Sequence, residues 1–325
     1  MTVQTSTSST AASRHDALAV HSVDCVVFTV PDIEEAVKFY TAFGMDVRRE
    51  GSVVELFTFG HPHCWMRVVE NKQPKALQYL TFGIRAEDEA AFRAKIDQLG
   101  IGCAPHPLAT RPGIWLHGPD GHPFQLVVSN KVSPNQKTPA APARAAARGT
   151  ASAPARTQVD RVFPRWLSHV LLFTPDVSGL VNFSESVLGL RLSDRSGDLV
   201  AFMHTPHGSD HHLLACVKSE GPGLHHTSWD LGSVDEVGEA SEQMRNAGYA
   251  DGWGVGRHVL GSNYFYYVRD PWGSFAEYSA DIDFIAEGQP WQAGDYAPED
   301  SFYLWGPAVP DWFVANTELN SKDRS

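Results

Sequence analysis

Cysteine is scarce in this chain and shows no pattern. Cys25, Cys64, Cys103 and Cys216 form no CxxC and no dense spacing, which excludes a disulfide framework and fits reduced thiols. Basic charge is also in deficit: 26 Lys and Arg against 38 Asp and Glu leave a net charge of −12. That excess of acid argues against a nucleic-acid or anionic-membrane partner. No uninterrupted apolar run approaches membrane-spanning length, and the N-terminal "MTVQTSTSSTAASRHD" is polar and without the apolar core of a signal peptide. These absences predict a cytoplasmic protein with no membrane partner.

With 42% hydrophobic and 20% charged residues, the 325-residue chain has the composition of a globular protein, and its length predicts two domains. One stretch, Ser133 to Asp160, "SPNQKTPAAPARAAARGTASAPARTQVD", is rich in Ala, Pro and Arg and has no core-forming periodicity. It reads as an extended, mobile linker. The predicted layout is a first domain over 20–130, the linker over 131–163, a second domain over 164–285 and a tail over 286–325.

The two domains look alike. "VDCVVFTVPDIEEAVKFYTAFGMDVRRE" from Val23 matches "LSHVLLFTPDVSGLVNFSESVLGLRLSD" from Leu167. Each reads as a β-branched strand, a Pro-Asp turn and a helix with apolar residues three and four apart, closed by Gly44 or Gly189. The pattern recurs in "ALQYLTFGIRAEDEAAFRAKIDQLGI" and "GLHHTSWDLGSVDEVGEASEQMRNAGY". The expected fold is α+β: two domains, each of two βαβββ modules, with a period of ~50 residues that signals duplication.

Duplication supplies an internal control. Placing the Pro-Asp turns in register sets Cys25 against His169; the following strands set Tyr79 against His226 and Gln125 against Glu277. The second half therefore has His, His and Glu where the first has Cys, Tyr and Gln. Two histidines and one carboxylate on one side of a metal leave the opposite positions open, the pattern of non-haem Fe(II) enzymes. A single buried histidine is more often a satisfied core residue, but a buried Glu277 requires a partner or a metal.

At this point the sequence resembles a known family. "SHVLLFTPD", "HHLLACVKSEGPGLHHTSWDL" and "GRHVLGSNYFYYVRDPWGSFAEY" resemble the type I extradiol ring-cleavage dioxygenases of the vicinal oxygen chelate superfamily, over residues from about 20 to 285 at the level of the fold. The resemblance implies iron ligands at His169, His226 and Glu277 and an acid–base histidine at His212. It implies that His258 and Tyr267 bind and orient a catechol, with Asn263 in a supporting role. It also implies Fe(II), with Mn(II) accepted by the same ligands, and ring cleavage by O2 to a 2-hydroxymuconic-semialdehyde-type product. A homo-oligomer built through a first domain without catalytic residues is expected.

Strand alternation would place His211 and His225 on the face opposite His212 and His226. Members of the family that take carboxylated catechols place an arginine where this chain has Trp253 in "DGWGVGRH", so Trp253 is expected to face an apolar or uncharged ring substituent. The aromatic tail "APEDSFYLWGPAVPDWF" reads equally as a cover for the site or as a packing strap. Two other functions use the same fold: a glyoxalase-like metal-dependent isomerase or lyase, and a metal-free small-molecule-binding module. The set His212, His258 and Tyr267 argues against both.

Overall fold

The computed structural model describes residues 17–142 and 148–322. The polar N-terminal stretch, residues 1–16, and the centre of the expected linker, residues 143–147, lie outside the described residues.

Helix Ile33–Phe43 begins because the Asp32 carboxylate accepts from the N–H groups of Glu34 and Glu35, at 2.9 and 3.1 Å. It stops at Gly44, whose φ of 95° is open to glycine and costly for other residues. Its buried positions, Ile33, Ala36, Phe39, Tyr40 and Phe43, keep the three-and-four spacing. The second half repeats the device. Asp176 accepts from Gly179 N–H at 2.9 Å to start Val177–Phe183, which runs into a wider turn over Ser184–Leu188 and closes at Gly189.

The first half forms a seven-stranded sheet in the order Asp46–Glu50, Val53–Phe57, Met66–Glu70, Ser22–Val30, Ala76–Ile84, Pro123–Val128, Ile114–His117. The second half repeats that order with Arg191–Ser196, Val200–His204, Leu214–Lys218, Leu167–Thr174, Gly223–Leu231, Phe275–Ala280 and Tyr264–Arg269, and adds Gly252–His258 beyond it. Short strands of the C-terminal segment, Gly294–Asp295 and Tyr303–Trp305, extend this sheet at its two edges. In both halves the two central strands are antiparallel and each has a parallel partner outside it. This is the α+β architecture of paired modules expected from the sequence.

The halves share one apolar core, which includes Phe28, Phe43, Trp65, Leu172, Trp229 and Tyr278. Phe43 stacks on Tyr278 with ring centroids 4.0 Å apart, and the Tyr278 hydroxyl donates to the Phe43 carbonyl at 2.8 Å. Lys75 makes a buried ion pair with Asp270, whose other oxygen accepts three backbone N–H bonds. The C-terminal helix ties in both sheets: Glu318 accepts from Leu77 N–H and from Leu224 N–H. No helix among the described residues is long and apolar enough to cross a membrane.

Candidate metal centre and cavity

Sheet register brings the three ligand-type residues together. Ser228 pairs with His169 on one side and Glu277 on the other, and His226 lies two residues before it. In the first half Thr81 pairs with Cys25 and Gln125, with Tyr79 two residues before it. The duplicated positions thus coincide strand for strand. His169 Nε2 lies 3.1 Å from Glu277 Oε2 and His226 Nε2 lies 3.4 Å from it; one ligand atom from each residue falls within 4.8 Å of the others.

All three side chains are buried. His226 Nε2 and Glu277 Oε2 have no hydrogen-bond partner, and buried polar atoms in that condition are costly. Convergent lone pairs from two imidazoles and a carboxylate are what a divalent cation satisfies, so the residues fit a metal. Burial alone would raise the Glu277 carboxyl. The surrounding His169, His258 and Ser228 outweigh burial and hold it below its ordinary value. Asn263 donates to the other oxygen, Oε1, at 3.2 Å, and to Ser279 Oγ at 3.0 Å.

Hydrogen bonds behind the histidines decide which ring nitrogen is free. Ser168 Oγ donates to Asp210 Oδ2 at 2.7 Å and so accepts from His169 Nδ1–H at 3.2 Å, leaving His169 Nε2 as a lone pair. His258 Nδ1 meets the Phe302 carbonyl at 2.8 Å. A carbonyl only accepts, so the proton is on Nδ1, and Nε2 accepts from the Tyr267 hydroxyl at 2.9 Å. Burial lowers His258 and raises Tyr267 well above its ordinary value, so the ring is neutral and the phenol keeps its proton.

His212 packs on His169, with ring centroids 4.0 Å apart, and on Phe202. Burial, reinforced by the neighbouring histidines, holds it well below its ordinary value and therefore neutral. His211 donates from Nε2 to Asp194 Oδ2 at 2.7 Å and contacts His212 Nδ1 at 3.1 Å. With a neutral His211 its single N–H is spent on Asp194, so His212 donates to that second contact and keeps Nε2 as a lone pair.

A cavity of about 410 Å³ is lined by His169, His212, His226, His258, Asn263, Tyr267 and Glu277, together with Leu171, Leu199, Val200, Phe202, Val217 and Leu260. From the C-terminal segment, Pro298, Ser301, Phe302, Phe313 and Val314 complete its wall, so the tail covers the site and packs as a strap at once. Lys218 is the only Lys or Arg among the described lining residues, and its ammonium binds the Pro175 carbonyl at 2.5 Å.

Two sequence expectations change, and a third holds for a different reason. Strand alternation does not place His225 away from the site: the strand shifts register between Leu224 and His226, and both rings line the cavity with their Nδ1 atoms 2.7 Å apart. His212 lines the cavity and His211 does not, as expected, but the two lie in a bend between strands, so alternation is not the reason. Trp253 does not line the cavity. It stacks behind Tyr267 and Phe313, with its indole N–H on the Pro307 carbonyl at 3.0 Å. Sequence reasoning missed Ser168, Asp210, Asp194 and the Phe302 and Phe313 carbonyls. The adjacency of Ser168 to His169 was the one local signal.

The model of the Glyoxalase/Bleomycin resistance protein/Dioxygenase superfamily matches residues 166–278. The chain is 50% identical to Metapyrocatechase 2 of Cupriavidus necator over 301 residues, 92% of this chain and 93% of that one. Metapyrocatechase of Geobacillus stearothermophilus is 22% identical across 90% of this chain and 92% of its own. In fold, homoprotocatechuate 2,3-dioxygenase of Arthrobacter globiformis superposes with a TM-score of 0.72 at 18% identity, covering 92% of each chain. A Mn(II)-bound glyoxalase of Novosphingobium aromaticivorans gives 0.71 at 22% identity, covering 90% of this chain and 94% of that one. The chain belongs to the extradiol ring-cleavage dioxygenases of this superfamily. It is an enzyme, and its class works with a non-haem metal.

Proposed function

We propose that this enzyme cleaves a catechol bearing an apolar or uncharged substituent, beside its two hydroxyls, with O2 and Fe(II), giving a 2-hydroxymuconic-semialdehyde-type product. His169, His226 and Glu277 are the ligands in this reading. The observation that carries it is the pair of partnerless buried acceptors, His226 Nε2 and Glu277 Oε2, opening onto an apolar cavity. The name of the Cupriavidus necator relative, Metapyrocatechase 2, supports the same reaction class.

When bound, the ion supplies a Lewis-acid site with open positions for the diol and for dioxygen. Glu277 is the one anionic ligand, so a divalent ion keeps a net positive charge that favours an ionised catechol. His212 Nε2, neutral and unprotonated, accepts a hydroxyl proton and later returns one. The Tyr267–His258 pair sits on the same side as Glu277 Oε1, with His258 Nε2 3.8 Å from it, and orients the diol by hydrogen bonding. Leu171, Val200, Phe202 and Phe302 receive the ring and its substituent while excluding water.

Oxygen uptake across a substrate panel tests the assignment. Catechol and its methyl-substituted forms should react with kcat/KM on the order of a hundredfold or more above carboxylated catechols, because a carboxylate here would be buried unpaired. Equal rates for the two groups would refute the substituent assignment, and no oxygen uptake with any catechol would refute the reaction.

A further inference from the structure

His225, the neighbour of a proposed ligand, is wired to the C-terminal segment. Its Nε2 meets the Phe313 carbonyl at 2.9 Å, and its Nδ1 meets His226 Nδ1 at 2.7 Å. The ring is buried and clamped among Phe173, Phe275 and Phe313, with centroids 4.9–5.2 Å from its own. The carbonyl has no hydrogen to give, so a neutral His225 spends its single N–H on Phe313. The short contact to His226 then requires the hydrogen to be on His226 Nδ1. That leaves His226 Nε2 as the lone pair facing Glu277 Oε2, the atom found without a partner.

We propose that His225, held by the Phe313 carbonyl, is a positioning residue that fixes His226 in the tautomer and orientation needed to ligate metal through Nε2. The inference rests on the ligand set proposed above. It makes the C-terminal segment part of the metal centre, although the segment supplies no ligand itself. The register shift at Leu224–His226 serves this arrangement by turning both rings to one side of the sheet. Partners of this kind, hydrogen-bonded to the back of a ligating histidine, are typically worth about 10–100-fold in metal affinity.

The test uses the full chain loaded anaerobically with Fe(II), with affinity read by competition against a chromogenic chelator. His225→Leu removes the acceptor for His226 Nδ1–H; His225→Asn has nearly the same shape and keeps an acceptor oxygen close to the Nδ1 position. The expected result is Fe(II) affinity weakened about 10–100-fold in His225→Leu, with most of that loss recovered in His225→Asn. His226→Ala should lose the metal outright. Wild-type affinity in His225→Leu, or equal losses in Leu and Asn variants of wild-type thermal midpoint, would overturn the proposal. If either variant misfolds, nitrogen-15 spectra of histidine-labelled wild-type chain decide the matter, because a proton on His226 Nε2 in the metal-free form contradicts it. Retention of metal by His226→Ala would instead refute the ligand set.

Discussion

At the scale of single residues, the site separates groups that hold a metal from groups that move protons. His212 packs on His169 but has no place among the three ligand atoms that converge. His212→Phe should therefore keep its metal and its catechol affinity while turnover falls about a hundredfold or more, the usual loss for a positioned acid–base group. Metal content and single-turnover oxygen consumption measured on one preparation check this; loss of metal together with activity would make His212 a structural member of the centre. The ligand-type residues were legible because duplication set each beside a sister residue of a different type. Their tautomers were not legible. They depend on Asp210, Phe302 and Phe313, which lie 42 to 88 residues from the groups they fix.

At the scale of elements, the register of the duplicated strands was a sound guide for His169, His226 and Glu277, whereas alternation along a strand failed at His225. One extra residue in one strand of a pair reverses the facing of its neighbour and leaves no compositional trace. The tail failed differently. Its aromatics announced packing, but which elements they pack on is fixed by long-range contacts such as the pairing of His258 with Tyr303. Trp253 shows the result. It was expected to face the substrate, yet it lies almost wholly buried between Tyr267 and the tail. Trp253→Ala should lower stability by about 3–5 kcal/mol, as truncation of a buried tryptophan does, and should raise KM through the loosened Tyr267 and Phe313. Chemical denaturation and steady-state kinetics check this; an unchanged midpoint would mean that the tail is held by other contacts.

At the scale of the whole molecule, the two halves share a core and differ in chemistry. The paired modules were legible because a strand, an acidic turn and a helix with an apolar period closed by glycine recur four times, twice with a Pro-Asp turn. Each half also buries a neutral histidine away from the proposed ligands: His21 against Ser129, and His204 against Ser193. Burial lowers both from 6.5 to about 4. Between these values the unfolded chain binds protons that the folded chain does not, so the contribution is complete above pH 6.5 and is lost as pH falls toward 4. The thermal midpoint of metal-free protein should drop more across that window in the wild type than in His21→Asn. A midpoint that stays level down to pH 4 would show that neither ring stays neutral in the fold.

Anaerobic Fe(II) loading followed by elemental analysis, on the wild type and on Glu277→Ala, tests the centre most directly. One carboxylate and two imidazoles converge in the second half, while Cys25, Tyr79 and Gln125 stand in the matching positions of the first. Wild-type protein should approach one iron per chain, and Glu277→Ala should retain almost none. Two irons per chain, or full occupancy in Glu277→Ala, would contradict the account.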